Sequence, residues 1–385
     1  MAWRILLLIL LSLAAPAAAE PTAQQYRADA LSIEPLVNDV YAYPERFEGG
    51  RAPVSAKLRA EAERVSDKRS LLQYAERVLL ALADHHAITG ASTAQSWAVV
   101  PSYSDLWIER QRAEYVITSV RRDSPAQRAG IRPGERLSSV AGVPTAQAVA
   151  SFWEDLGLPV NDERASFAAR ILAAGKRNAP RRLTVQGAAA PRTVDLPNLY
   201  ATARPDRPPL EVDASGRDYV IRFNDSLGSD AAIAAFDAAM AAAGPRRRIV
   251  IELTDTPGGG NTVVARAILG WFVSRPSFYQ VHNLPAEQRR TGIPRQWAEQ
   301  VLPRPGKRHR GPVTVRVGRW TGSMGEGLAI GFDAIGARVE GERMAGLLGA
   351  IYDHRLEHSG LVLKLPTERL SHVDGTPREA FVPRR

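Results

Sequence analysis

A serine hydroxyl becomes a nucleophile only when a base takes its proton and donors meet the charge that develops on the carbonyl it attacks. Three stretches of this 385-residue chain hold groups of those kinds. Ser323 sits in Thr321-Gly322-Ser323-Met324-Gly325-Glu326-Gly327, His85 and His86 in Ala83-Asp84-His85-His86-Ala87, and three glycines in Asp255-Thr256-Pro257-Gly258-Gly259-Gly260-Asn261. Ser323 with Glu326 three residues on has the pattern of a capping box at a helix start, and equally that of a nucleophile raised on a strand-to-helix turn. Adjacent histidines point in different directions and no further ligand is spaced to complete a metal site, so no metal is expected. A histidine at a helix end reads as a dipole cap until a nucleophile is found for it. The glycine run lacks the Lys-Ser/Thr ending of a phosphate loop and the dinucleotide spacing. What remains is a set of unencumbered backbone N–H groups at a helix start, suited to an oxyanion.

These stretches need elements to carry them. The β-branched run Pro312 to Val317 precedes the serine turn, and the apolar Leu328 to Phe332 follows it as a helix. Arg248 to Leu253 is a strand running into the glycine turn, and Val263 to Val273 a helix leaving it. With the strand Tyr219 to Phe223 and the helix Ala231 to Ala243, the C-terminal half alternates strand and helix after a Pro-rich linker at Arg204 to Leu210. Tyr26 to Leu82 is helical in pattern and ends at the histidine pair.

Composition narrows the setting. Residues 1–19 carry Arg4, an apolar stretch from Ile5 to Leu13, and Ala17-Ala18-Ala19 before Glu20. That is the pattern of a cleaved secretory signal, too short to span a bilayer, and it points to a periplasmic protein that is not integral to the membrane. The absence of cysteine excludes disulfides, thiol nucleophiles and thiolate metal sites. The net charge of +9 is almost entirely arginine, with clusters at Arg246-Arg247-Arg248 and Arg304 to Arg310. An exported chain meets little nucleic acid, so these are read as a solvated surface or as attraction to an anionic envelope.

Ser124-Pro125-Ala126, Ala129-Gly130, Pro133-Gly134 and Val140-Ala141-Gly142 resemble a PDZ domain, placed at residues 103–198. Such domains add an extended peptide to their own sheet, so a peptide ligand or adaptor is an expected partner. The nearest candidate for a carboxylate-binding loop, Ser104 to Ile108, carries Asp105, which would repel a free C-terminus.

The Asp-x-Pro-Gly-Gly-Gly strand end, the Ser-x-x-Glu turn and the PDZ insert together resemble the S41 peptidases, the C-terminal-processing and tricorn-like serine proteases. The resemblance implies an α/β fold with a crotonase-like core at residues 199–385, an N-terminal helical subdomain at 20–102 and the inserted PDZ domain. It implies Ser323 as nucleophile and an oxyanion hole from the N–H groups of Met324, Gly258 and Gly259, with no cofactor and with protein or peptide substrates. The Ser-Lys branch of that family would place its lysine near Leu347, and Lys364 is the only lysine after Ser323. Arginine cannot take the serine proton. The tricorn-like branch uses a histidine ahead of the PDZ domain, which falls on His86, with His85 as the alternative. The orienting acid falls on Glu379, in Glu379-Ala380-Phe381-Val382-Pro383, with Glu342 and Asp374 as alternatives. A catalytically inactive PDZ-bearing binding protein with the same fold is the competing reading.

Overall fold

The computed structural model describes residues 20–188, 190–202, 207–224 and 227–384. The signal sequence expected at 1–19 and part of the Pro-rich linker lie outside the described residues.

Four parallel strands form the centre of the C-terminal half, in the order Arg338–Gly341, Val313–Val317, Ile249–Glu252, Tyr219–Phe223, with Leu210–Asp213 antiparallel at the edge. A parallel sheet covered on both faces demands apolar side chains at successive positions. Ile249–Glu252 is accordingly buried throughout. Ile249–Glu252 and Val313–Val317 pair in register, so the loops that leave their C-terminal ends, bearing Gly258 and Ser323, emerge side by side. The helix Met324–Ala334 then packs its apolar residues Leu328, Ile330 and Phe332 into this core.

A second sheet delivers the histidine. Its long strand Val362–Ser371 is flanked by Ile88–Thr89 on one side and Ala350–Arg355 on the other, both antiparallel. His86 stands two residues before the first of these and Leu348 two residues before the second. One strand therefore positions both.

The N-terminal region folds as the helices Ala23–Val40, Ala56–Ala62 and Lys68–Ala81. Asp67 starts the last of them by accepting the Arg69 and Ser70 N–H groups, and Leu71, Ala75, Val78 and Leu79 bury one face. These helices share an apolar core with an antiparallel sheet of Leu106–Gln111, Glu114–Val120, Arg136–Val140, Arg181–Gln186 and Arg192–Leu196. The short helix Pro125–Arg128 ends at Gly130, whose φ of 73° is the left-handed conformation that closes a helix without a Cβ penalty. Asp105 does not face a ligand groove. It is fully buried, receives two bonds from Arg181 at 2.5 and 3.0 Å, and caps the Ala126 N–H at 3.0 Å. No helix among the described residues is long and apolar enough to cross a membrane.

Candidate active site

Ser323 has φ 51° and ψ −116°, a backbone conformation that a residue with a Cβ rarely adopts. Such a turn costs roughly 1–3 kcal/mol and persists only where its surroundings hold it. Several contacts do. Gly322 N–H donates to the Thr256 carbonyl at 3.0 Å, and the Thr321 hydroxyl donates to the Leu253 carbonyl at 2.8 Å. A Cβ on Gly322 would lie 2.5 Å from the Pro257 carbonyl oxygen, so only glycine lets the two loops touch. The Ser323 N–H donates to Glu326 Oε2 at 2.8 Å, which supplies the helix-start bond expected from the Ser-x-x-Glu spacing. The hydroxyl is turned elsewhere.

Ser323 Oγ lies 3.1 Å from His86 Nε2. His86 is 6% exposed and is held by its own turn: Asp84 Oδ1 accepts the His86 N–H at 2.9 Å, and Asp84 Oδ2 accepts from the Tyr41 hydroxyl at 2.8 Å. Its other ring nitrogen, Nδ1, lies 2.7 Å from the Leu348 carbonyl oxygen. A carbonyl can only accept, so Nδ1 carries the proton and Nε2 presents a lone pair to the serine. Burial, and then the nearby Arg378 cation, push His86 down to about 4, so the ring is neutral across ordinary pH. The geometry is that of a base poised on a hydroxyl.

His85 does not reach this centre. It stacks on Phe167 and accepts from Arg170 Nε at 3.1 Å, facing the PDZ side. Burial and the Arg170 and Arg46 charges hold it well below its usual range.

The carboxylate expected beside His86 is not there. Glu379 lies near Tyr43, whose phenol is raised by burial and then by this carboxylate, and its Oε2 is buried with no hydrogen-bond partner among the described residues. Glu342 accepts from the PDZ residue Ser119 at 2.6 Å, and Asp374 pairs with His372 at 2.9 Å. The physical reason is local: the ring's second nitrogen is already saturated by a main-chain carbonyl.

Two buried side chains, neither of them expected beside His86, hold the segment that carries that carbonyl. Arg378 is 2% exposed and donates through Nη2 to the carbonyls of Leu347 and Gly349, at 2.7 and 2.6 Å. Glu326 is fully buried and accepts the N–H groups of Gly346 and Leu347, at 2.8 and 3.2 Å, besides that of Ser323. Arg378 Nη2 and Glu326 Oε2 are 3.9 Å apart. Burial pushes Glu326 up to about 7, against the pull of Arg378 and its three N–H partners. Arg378 has no local signature, since it stands beside the Glu379 motif in a chain rich in arginine. Glu326 had one, read as helix capping, which is half of what it does.

The glycine loop faces the serine. Gly258, Gly259 and Gly260 have φ of 156°, 66° and 159°, and a Cβ on Gly258 would lie 3.9 Å from Ser323 Cβ. Among the described residues no acceptor is found for the N–H groups of Gly258, Gly259 or Met324. Met324 packs onto Gly260, where a Cβ would come within 2.4 Å of its own Cβ. Lys364 pairs with Asp353 at 2.6 Å and takes no part. Among the described residues no group of His, Cys, Asp and Glu is arranged to hold a metal ion.

Residues 116–151 match the PDZ domain family model. No curated protein matches the sequence. Among solved structures, mature CPAF is similar over 94% of this chain and 92% of its own, with 13% identity and a TM-score of 0.59. CPAF complexed with lactacystin is similar over 94% and 93%, with 13% identity and a TM-score of 0.58. The photosystem II D1 C-terminal processing protease is similar over 93% and 92%, with 15% identity and a TM-score of 0.52. A PDZ domain, N-terminal helices and a crotonase-like α/β core thus assemble in this chain into the fold of the S41 peptidases.

Proposed function

We propose that the protein is an exported serine peptidase that works in the periplasm on proteins or peptides entering as extended strands. The observation that carries this reading is the 3.1 Å approach of Ser323 Oγ to His86 Nε2, with the His86 tautomer set by the Leu348 carbonyl. In the reaction, His86 Nε2 takes the hydroxyl proton as Oγ bonds to the scissile carbonyl carbon, and returns it to the leaving amine as the acyl-enzyme forms. Water then repeats the sequence and frees the acid. The N–H groups of Gly258, Gly259 and Met324 are the candidate oxyanion donors. The PDZ domain supplies a strand-adding surface for peptide.

A fluorophosphonate probe tests this directly. Labelling of the wild-type chain that is absent in both Ser323→Ala and His86→Ala supports it. Lactacystin, the compound bound to CPAF in one similar structure, is a second probe. No reaction with either would sink the proposal.

One observation favours the other reading, an inactive scaffold. The imidazolium formed during acylation would face a carbonyl and a nearby arginine instead of a carboxylate. Wild-type protein that stays unlabelled while folded and binding peptide would support that reading.

A further inference from the structure

The end of the parallel sheet opposite Ser323 carries charges that the proposed reaction does not use. Pro245-Arg246-Arg247-Arg248 leads into the strand Ile249–Glu252, and Lys307-Arg308-His309-Arg310-Gly311 leads into Val313–Val317. These strands are parallel neighbours, so the two lead-in segments lie at one edge while the Gly258 and Ser323 loops leave from the other. The segments touch. Arg310 N–H donates to the Pro245 carbonyl at 2.8 Å, and a Cβ on Gly311 would lie 2.5 Å from the Arg246 carbonyl oxygen.

Three of the six arginines and lysines on these segments are engaged internally. Lys307 binds Asp237 at 2.6 Å, beside Arg304 from just ahead of its segment, and Arg248 pairs with Asp218 at 3.3 Å. Arg247 donates to the Ala214 and Gly216 carbonyls and lies over the Tyr219 ring. Arg246, Arg308 and Arg310 differ: among the described residues their side chains have no acidic partner and no hydrogen-bond acceptor. With Pro245 they line one open hollow, and no carboxylate shares it. Arg308 Nη1 is shut off from solvent and has no partner among the described residues.

An unpartnered buried guanidinium nitrogen is costly, and three like charges around one hollow repel. A bound anion relieves the repulsion. The planar guanidinium fork matches tetrahedral oxyanions, phosphate above all, better than any other side chain does. Arg246 and Arg310 are exposed, so the hollow is open to a surface as well as to a small ion. We propose that Arg246, Arg308 and Arg310 form a phosphate-binding site whose occupant is the headgroup phosphate of an anionic lipid surface. Docking there leaves the Ser323 end of the sheet turned away from the lipid and open to substrate.

The test is co-sedimentation of the full chain with vesicles of phosphatidylglycerol or phosphatidylcholine, with and without inorganic phosphate as competitor. The expected result is binding to phosphatidylglycerol only, weakened about fivefold for each guanidinium removed, roughly 100-fold in Arg246→Gln/Arg308→Gln/Arg310→Gln. A control with the same charge change elsewhere, Arg51→Gln/Arg69→Gln/Arg290→Gln, should bind like wild type. Equal losses in the two triple variants, or no loss in either, overturn the site. Saturable binding of inorganic phosphate without vesicle binding overturns the lipid as its occupant. Should the first triple variant not fold, Arg246→Gln/Arg310→Gln, which changes only exposed side chains, is read in its place.

Discussion

His86 Nδ1 and the Leu348 carbonyl oxygen are 2.7 Å apart, and that contact decides which ring nitrogen faces Ser323. A main-chain carbonyl fixes the tautomer as well as a carboxylate does, but it carries no full charge to offset an imidazolium. Its position depends on Arg378, which holds the peptides on either side of it.

Arg378 is therefore a positioning residue. In Arg378→Met, kcat for a peptide substrate should fall about 10- to 100-fold with KM little changed, because the Leu348 carbonyl is no longer bracketed. The pH profile separates this from mere loss of folded protein. Arg378 is one cause of the low His86 value, so its removal should shift the acid limb of kcat/KM upward from about 4. An unmoved limb would refute the assignment.

Stability should carry two opposing pH slopes. His86 titrates near 6.5 when unfolded and at about 4 when folded, so its contribution is lost as pH falls from about 6.5 to 4. Glu326 titrates at 4.5 unfolded and at about 7 folded, so the protonated folded form is favoured and stability declines as pH rises through that window. Each displacement corresponds to about 3 kcal/mol. Urea unfolding from pH 4.5 to 6.5 should show the slopes offsetting in the wild type. Glu326→Gln should gain stability with rising pH and His86→Ala should lose it; parallel profiles in all three would contradict this.

The neighbouring histidine and the distant acid provide a contrast. His85→Ala removes a stacked, half-buried ring and should lower stability by about 1–3 kcal/mol while leaving fluorophosphonate labelling intact. Glu379→Gln should also keep labelling within a few-fold, since its carboxylate does not touch His86 in this arrangement. Loss of labelling in Glu379→Gln alone would mean that the Leu348 segment yields to the acid during the reaction.

Gly322→Ala tests the seam between the two loops. Its Cβ would meet the Pro257 carbonyl at 2.5 Å and Leu347 Cδ1 at 3.0 Å. The forced separation should cost about 1–3 kcal/mol and reduce labelling at least tenfold. Near-wild-type labelling would show that the seam does not position the serine.

What could be read from the sequence was what local pattern encodes. The strand before Ser323, the glycine run and the PDZ turns each announce themselves within a dozen residues, and the family resemblance joins them into the fold. The approach of His86 to Ser323 spans 237 residues, and the resemblance alone suggested it. The Leu348 carbonyl could not be read at all, because every residue has one and only the tertiary path decides where it points. Arg378 was hidden for a related reason. Beside it, Glu379 matched a motif, yet the fold turned the arginine inward and left the acid out of contact with His86.

The Arg378 bonds to Leu347 and Gly349 also bear on the order of synthesis. Arg378 follows His86, the glycine loop and Ser323 along the chain, so all three leave the ribosome before the bracket around Leu348 can close. A truncated product ending before Arg378 would carry Ser323, His86 and the glycine loop without the clamp that sets the base. Until that arginine is made, the base lies beside its serine without the bonds that would hold its tautomer in place.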